Sequence, residues 1–171
     1  MEGSNSFAGL MDALEVLVLL GGDLGDQVIN LAGAERLIGE RAGKVLARSR
    51  DHWTEPWGFK GDALFLNRAL LLRTSLPPVV LMDVFLAIET ELGRDRTDKG
   101  RYGSRTVDID ILLVGGQVIG SSTLQVPHPR FHERSFALAP AADIVPGWVH
   151  PVQGLTVLQL LNALRHDTAA A

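Results

Sequence analysis

Two kinds of apolar pattern alternate along the chain. Continuous or alternating apolar runs predict strands, whereas apolar residues that recur every three or four positions predict amphipathic helices. The strands are expected at Val16–Leu20, Val45–Arg50, Ala63–Thr74 and Val107–Val114, and the helices at Gln27–Ala42 and Pro78–Leu92. Asp26 is the expected N-cap of the first helix, and Gly43 and Gly93 are expected to end the first and second helices.

The order strand, helix, strand, strand, helix, strand is that of a split β-α-β arrangement. We therefore predict an α+β fold, a ferredoxin-like α/β sandwich whose mainly antiparallel central sheet has helices packed on its faces. Beyond the last strand, the sequence predicts a short strand at Gln117–Ile119 and a helix at Phe136–Ala142. A final helix is expected at Leu155–Leu164, with Leu155, Leu158, Leu161 and Ala163 on its apolar face.

The length of 171 residues suits one domain. We expect that domain at 15–165, a flexible leader at 1–14 and a frayed C-terminus at 166–171. The net charge of −4 has the wrong sign for a general nucleic-acid binder, and the lack of cysteine excludes disulfides and thiolate metal sites. Neither a signal peptide nor a membrane-spanning stretch is evident. A cytoplasmic monomer without nucleic-acid or membrane partners is the expectation.

The stretch Arg94–Val114 carries the strongest chemical signal, because a basic loop runs directly into a strand that opens with Asp108 and Asp110. Residues two apart on a strand share a face, so these carboxylates are expected side by side, about 6.6 Å apart along the strand. The apolar residues expected on the opposite face are Val107, Ile109, Ile111 and Leu113, while Leu112 and Val114 are expected to continue the aspartate face.

Two neighbouring carboxylates repel each other, and this repulsion destabilises the folded protein unless a cation neutralises their charge. Mg²⁺ is commonly held by one or two carboxylates together with substrate phosphates. The loop before the strand is rich in basic residues that could bind those phosphates: Arg94, Arg96, Lys99, Arg101 and Arg105. We therefore favour a site for a metal-bound polyphosphate. The alternative is a strand end whose aspartates pair with the loop arginines.

Other polar residues stand in apolar surroundings. Asn67 lies in an apolar row of its strand, where its amide could bond either backbone or a ligand. Glu89, on the buried side of the second helix, could be a satisfied boundary residue. His128 and His132 are four apart, but the proline between them argues against a zinc site. His128 and Arg134 could donate to phosphate oxygens, or could belong to a polar surface loop.

These motifs together resemble the 6-hydroxymethyl-7,8-dihydropterin pyrophosphokinase family of folate biosynthesis. The matching stretches occur in the order found in that family and cover roughly Val16–Pro146. They are Gly21–Asp26, Thr54–Gly58, Phe65–Asn67, Ile88–Arg96, Arg101–Asp110 and Val126–Phe136.

The resemblance implies transfer of the β,γ-diphosphate of ATP to the pterin hydroxymethyl group, with AMP as the other product. It implies Asp108 and Asp110 as ligands of two Mg²⁺ ions, and Arg96 and Arg101 as further catalytic residues that hold the phosphates. The implied ATP contacts are Glu89, Arg94, Arg96, Arg101, Arg105, Ile111, His128 and Arg134. The implied pterin contacts are Thr54 and Trp57, through backbone groups, together with Phe65, Asn67, Tyr102 and Phe136.

Two of the departures from the family pattern concern the first glycine loop and Tyr102. The family usually reads Gly-Ser-Asn where this chain has Gly21-Gly22-Asp23, and it often has tryptophan where Tyr102 stands. Neither departure removes an implied metal ligand. The alternative to an active enzyme is a degenerate paralogue, or a binding module, that binds nucleotide or pterin without turnover.

Overall fold

The computed structural model describes residues 12–55, 64–93 and 106–170. The strands are β1 (Leu14–Gly22), β2 (Lys44–Arg48), β3 (His52–Thr54), β4 (Phe65–Thr74), β5 (Asp108–Val114), β6 (Ile119–Gly120) and β7 (Gln125–Val126). The helices are α1 (Gln27–Arg41), α2 (Pro78–Glu91), α3 (Ser135–Ile144) and α4 (Val157–Ala169), and Phe131–Glu133 forms a single 3₁₀ turn before α3.

The main sheet has the strand order β2-β4-β1-β5, and β3 also pairs with β4. Each of these pairings is antiparallel. Helix α1 connects β1 to β2 across the position of β4, and α2 connects β4 to β5 across the position of β1. These are the two split β-α-β units of a ferredoxin-like sandwich, so the predicted fold class is confirmed.

Helices cover both faces of the sheet. One apolar core joins the sheet to α1 and α2 through buried residues such as Leu31, Ile38 and Phe85. The other core joins the opposite face to α3, α4 and the 3₁₀ turn, and its largest fully buried side chain is Phe131. The side chains of β4 alternate between the two cores, because Leu66 lies in the first core and Ala69 in the second.

Local signals place the helix ends close to the predicted positions. The Asp26 side chain accepts a hydrogen bond from the Ile29 amide at 3.1 Å and caps α1. Gly93 follows α2 with φ of +97°, a conformation that favours glycine. The sequence did not separate β3 from the loop that follows Arg50, because three residues are too few for a periodic pattern.

The predicted alternation of β5 is wrong after Ile111. Val18 pairs with Ile111 and Leu17 with Leu113, so Leu112 is an extra residue in the strand and forms a β-bulge. Leu113 therefore lies in the same core as Leu112, on the α3 and α4 face, whereas Val114 lies in the α1 and α2 core. The bulge reverses the expected faces of Leu113 and Val114.

The ends of the domain also differ from the prediction. Strand β1 already begins at Leu14, and α4 continues to Ala169 instead of fraying at 166. Helix α4 is stabilised at its start by a capping box between Thr156 and Gln159. Its buried residues are Val157, Leu160 and Leu161, whereas Leu155 and Leu158 are exposed, so the predicted apolar face was rotated.

A polar cluster fastens the end of α3 to the edge of the sheet. The Asp143 carboxylate accepts hydrogen bonds from the Arg50 side chain at 2.9 Å and from His52 Nε2 at 2.8 Å. Burial alone would raise the pKa of Asp143, but the hydrogen bonds from Arg50 and His52 outweigh it and lower this pKa from 3.8 to about 2. The ionised carboxylate therefore stabilises the folded state.

We predict that Asp143→Asn lowers the free energy of unfolding at neutral pH by about 1 to 2 kcal/mol, a value reduced from the full linkage because the exposed Arg50 side chain is screened by solvent. The depressed pKa gives stability that is complete above pH 4 and is lost as pH falls towards 2. Urea unfolding measured between pH 6 and pH 2 checks this. Asp83→Asn, at an exposed carboxylate of α2, is the matched control. Equal pH dependence in the wild type and Asp143→Asn would contradict the assignment.

Candidate active site

Asp108 and Asp110 begin β5 and lie on the face of the sheet that α3 and α4 cover. Ile109 and Ile111 are buried in the opposite core. Asp110 stands opposite Leu19 of β1, whose side chain lies in the α3 and α4 core. Directly opposed residues of antiparallel strands share a face. Both aspartates are half-buried, so two carboxylates stand side by side at the end of a strand that is otherwise buried.

Glu89 of α2 braces the strand between these aspartates. The Glu89 side chain is 2% exposed, and its Oε1 accepts a hydrogen bond from the Ile109 amide at 2.8 Å. The N–H of a residue that separates the two aspartates is thereby held by a carboxylate from the neighbouring helix. This contact fits the interpretation of Glu89 as a satisfied boundary residue, and its role towards a nucleotide stays a prediction.

Asn67 of β4 lies on the same face as the aspartates, one strand away from Asp108 across Gly21 of β1. It is 3% exposed, and its Nδ2 donates a hydrogen bond to Thr54 Oγ1 at 3.3 Å. The sequence left open whether backbone or ligand groups would bond this amide. A side-chain hydroxyl provides one partner, and the sequence offered no signal for this contact beyond the position of Thr54.

Two aromatic residues border this face. Phe65 precedes Asn67 by two positions on β4 and is opposite Thr54, while Phe136 lies in the first turn of α3 and packs against the second core. The Arg134 guanidinium lies 5.5 Å from the centre of the Phe136 ring, within cation–π range. Among the described residues, the buried Nε of Arg134 has no hydrogen-bond acceptor.

His128 lies beside β5, because its backbone N–H donates to the Leu112 carbonyl at 2.9 Å. Burial first, and then the charges of Arg134 and Arg130, lower the pKa of His128 below 6.5, so its ring is neutral at pH 7. Its Nδ1 accepts a hydrogen bond from the Arg130 amide at 3.2 Å. The proton of the neutral ring is therefore on Nε2, which can donate to an anion.

The remaining site predictions divide into two groups. The Ile111 side chain is 4% exposed in the core opposite the aspartates, so only its backbone groups could contact a nucleotide. The other members lie outside the described residues: Trp57, Arg94, Arg96, Arg101, Tyr102 and Arg105.

The donor set at the start of β5 suits a hard divalent cation. Across the described ranges, no group of three or more histidine or acidic side chains is arranged to hold a metal ion. Asp108 and Asp110 supply two carboxylates on one face, which is the usual protein contribution when phosphate oxygens and water complete an Mg²⁺ shell. In the same part of the chain, no helix combines the length and apolar composition that crossing a bilayer requires.

Comparison with known proteins identifies similar sequences. Residues 17–146 match the family model described as 7,8-dihydro-6-hydroxymethylpterin-pyrophosphokinase. The chain is 40% identical over 138 residues to a 2-amino-4-hydroxy-6-hydroxymethyldihydropteridine pyrophosphokinase of Porphyromonas gingivalis, with 80% of this chain and 93% of that protein covered. It is 41% identical over 146 residues to a protein of the same name from Methylorubrum extorquens, with 85% and 90% covered.

Solved structures show the same fold. An HPPK-DHPS crystal structure from Plasmodium falciparum superposes on 92% of this chain with a TM-score of 0.75 at 15% sequence identity. An HPPK-DHPS structure in complex with substrates superposes on 91% with a TM-score of 0.74 at 13% identity. The chain spans less than half of each of those longer chains, 46% and 44%. These matches agree with the fold described above.

We predict that Glu89→Ala lowers the free energy of unfolding by about 1 to 3 kcal/mol, because it leaves the buried Ile109 amide without its acceptor. Glu89→Gln keeps a carbonyl acceptor and should lose less. Chemical denaturation measures both changes, and hydrogen exchange at the Ile109 amide should accelerate in Glu89→Ala. The control is Glu91→Ala on the same helix, which removes an exposed pair with Arg41. If it destabilised the protein as much as Glu89→Ala, the bracing role would be contradicted.

Proposed function

This chain belongs to the 7,8-dihydro-6-hydroxymethylpterin pyrophosphokinase family, and from that premise we propose how its residues perform the reaction. The chain is a diphosphokinase of folate biosynthesis, which transfers the β,γ-diphosphate of ATP to the hydroxymethyl group of 6-hydroxymethyl-7,8-dihydropterin and yields AMP. We propose that it acts as a monomer in the cytoplasm. The site assignment rests on one observation. Asp108, Asp110 and Asn67 share a face of the sheet, beside Phe136 and Arg134.

Asp108 and Asp110 hold two Mg²⁺ ions in this proposal. Their position on one face supports it, because both carboxylates can turn towards the same group of phosphate oxygens. When bound, Mg²⁺ neutralises charge on the phosphates and fixes their orientation. The Ile109 amide is held by Glu89, which keeps the backbone between the two carboxylates in place. Arg96 and Arg101 are proposed as further phosphate ligands and catalytic residues, with Arg94 and Arg105 supporting them.

His128 and Arg134 bind the nucleotide phosphates in this proposal. Arg134 brings a buried Nε without a protein acceptor among the described residues, and His128 brings a neutral ring whose Nε2–H is free to donate. Ile111 contacts the nucleotide through its backbone. Phosphoryl transfer depends mainly on positioning and on charge stabilisation, and these groups supply both around the departing AMP.

The pterin lies between Phe65 and Phe136, with Asn67 at its polar edge. A flat heterocycle suits two aromatic faces, and a buried amide can read hydrogen-bonding groups on the ring edge. Thr54 and Trp57, through backbone groups, and Tyr102 are proposed as further contacts. The hydroxymethyl oxygen then attacks the β-phosphorus in line with the leaving AMP.

The rival function is binding without turnover, and the Gly22-Asp23 departure motivates it. Incubation of the protein with ATP, Mg²⁺ and 6-hydroxymethyl-7,8-dihydropterin separates the two. We predict that AMP forms, and that it forms only when the pterin is present. AMP without pterin would indicate an ATP hydrolase, and binding of both ligands without AMP would establish the rival function.

We predict that Asp108→Asn and Asp110→Asn each lower kcat on the order of a thousandfold, because loss of a metal ligand removes several kcal/mol of charge stabilisation. The asparagine side chain keeps the shape, so the thermal unfolding temperature should change little. Asp83→Asn, on the exposed side of α2, should keep wild-type turnover. Turnover close to that of the wild type in either site variant, with Mg²⁺ present, would refute the metal assignment.

A further inference from the structure

Four residues oppose one another across the sheet, one on each of four strands. Asn67 of β4 is paired with His52 of β3 on one side and with Gly21 of β1 on the other. Gly21 is paired in turn with Asp108 of β5. Opposed residues of antiparallel strands share a face. Because Gly21 has no side chain, the Asn67 carboxamide can lie over Gly21, on the side of the sheet towards Asp108.

The two ends of the Asn67 carboxamide have different surroundings. Its Nδ2 donates to Thr54 Oγ1 at 3.3 Å. Its Oδ1 lies over Gly21, since a Cβ atom added to Gly21 would be only 2.9 Å from it. His52 lies on the β3 side of Asn67, and its Nε2 is hydrogen-bonded to the Asp143 carboxylate at 2.8 Å. The amino end of the carboxamide thus faces Thr54, and the carbonyl end faces Asp108.

We propose that the Thr54 hydroxyl and the missing side chain at Gly21 position Asn67, and so set which ring edges the site accepts. This inference rests on the proposed function of Asn67 in pterin binding. An amide has two N–H donors and one carbonyl acceptor. With Nδ2 on Thr54 and Oδ1 over Gly21, the carboxamide presents its second N–H and its carbonyl oxygen to a ligand in one order.

A fixed order of donor and acceptor selects a ring edge with the complementary order. The pterin edge has a carbonyl oxygen, a ring nitrogen and an exocyclic amino group, and a flipped carboxamide would oppose donor to donor and acceptor to acceptor. Sites that bond polar groups of a substrate can reject analogues that lack them by large factors. Thr54 and Gly21 therefore act through Asn67, as positioning residues, and do not take part in the transfer itself.

Three variants test the proposal. Thr54→Val removes the hydroxyl with little change of shape, and Thr54→Ser keeps the hydroxyl. Gly21→Ala puts a methyl group 2.9 Å from Asn67 Oδ1, so the carboxamide must shift. Steady-state rates at saturating ATP and Mg²⁺ give kcat and KM for the pterin. The same measurement is made with the pterin analogue that has a 2-oxo group in place of the 2-amino group. The discrimination ratio is kcat/KM for the pterin divided by kcat/KM for this analogue.

We expect Thr54→Val and Gly21→Ala to raise KM for the pterin about fivefold to tenfold, the equivalent of one hydrogen bond. The discrimination ratio should fall by a similar factor, while kcat changes less. Thr54→Ser should stay within about twofold of the wild type on every measure. The matched controls are Thr90→Val, at an exposed residue of α2, and Gly39→Ala, where an added Cβ meets nothing within 4 Å. Both should behave as the wild type.

The outcomes separate the positioning role from a merely structural one. An unchanged discrimination ratio in Thr54→Val, or equal losses in Thr54→Val and Thr54→Ser, would overturn the proposal. If Thr54→Val does not fold, the comparison of Gly21→Ala with Gly39→Ala decides, and equal ratios there would also overturn it. A wild-type protein that forms no AMP overturns the proposed function itself. If the wild type instead turns over normally and the variants are unaffected, only the positioning proposal fails.

Discussion

The antiparallel pairing of β1 with β4 on one side and with β5 on the other is the constraint on which the described site depends. The register of these pairs places Gly21 between Asn67 and Asp108. A shift of one residue would turn every side chain of a strand to the other face. The apolar residues of β1 are buried in both cores, so such a shift would expose or misplace them. Core packing therefore also fixes the positions of the polar groups.

Strand β5 begins with two aspartates and continues with buried apolar residues. One hydrogen bond and one β-bulge accommodate these two parts of the strand. Glu89 holds the Ile109 amide, so the backbone between Asp108 and Asp110 is bonded on the side of α2. The bulge at Leu112 then directs both Leu112 and Leu113 into the core beneath α3 and α4. That core also supports Phe131 and Phe136. The same layer that buries the end of β5 thus positions the aromatic ring and the cation that border the site.

The sequence predicted the fold class, the first two helices and the shared face of the aspartates, because each depends on a periodicity that local residues define. It did not predict the bulge, since no apolar pattern distinguishes Leu113 from its neighbours. It missed β3, whose three residues gain their structure from pairing with β4. The contact between Asn67 and Thr54 joins two strands. Its detection requires the register, which no single strand specifies.

We propose that Asp108 and Asp110 together hold divalent cations that bind the nucleotide phosphates. The most direct test is a crystal structure with Mn²⁺, which favours the same oxygen ligands as Mg²⁺, and a non-hydrolysable ATP analogue, with anomalous scattering recorded to locate the metal. We expect Mn²⁺ peaks about 2.0–2.4 Å from carboxylate oxygens of both aspartates and from phosphate oxygens. Mn²⁺ bound with the phosphates away from both aspartates, while these pair with arginines alone, would contradict it.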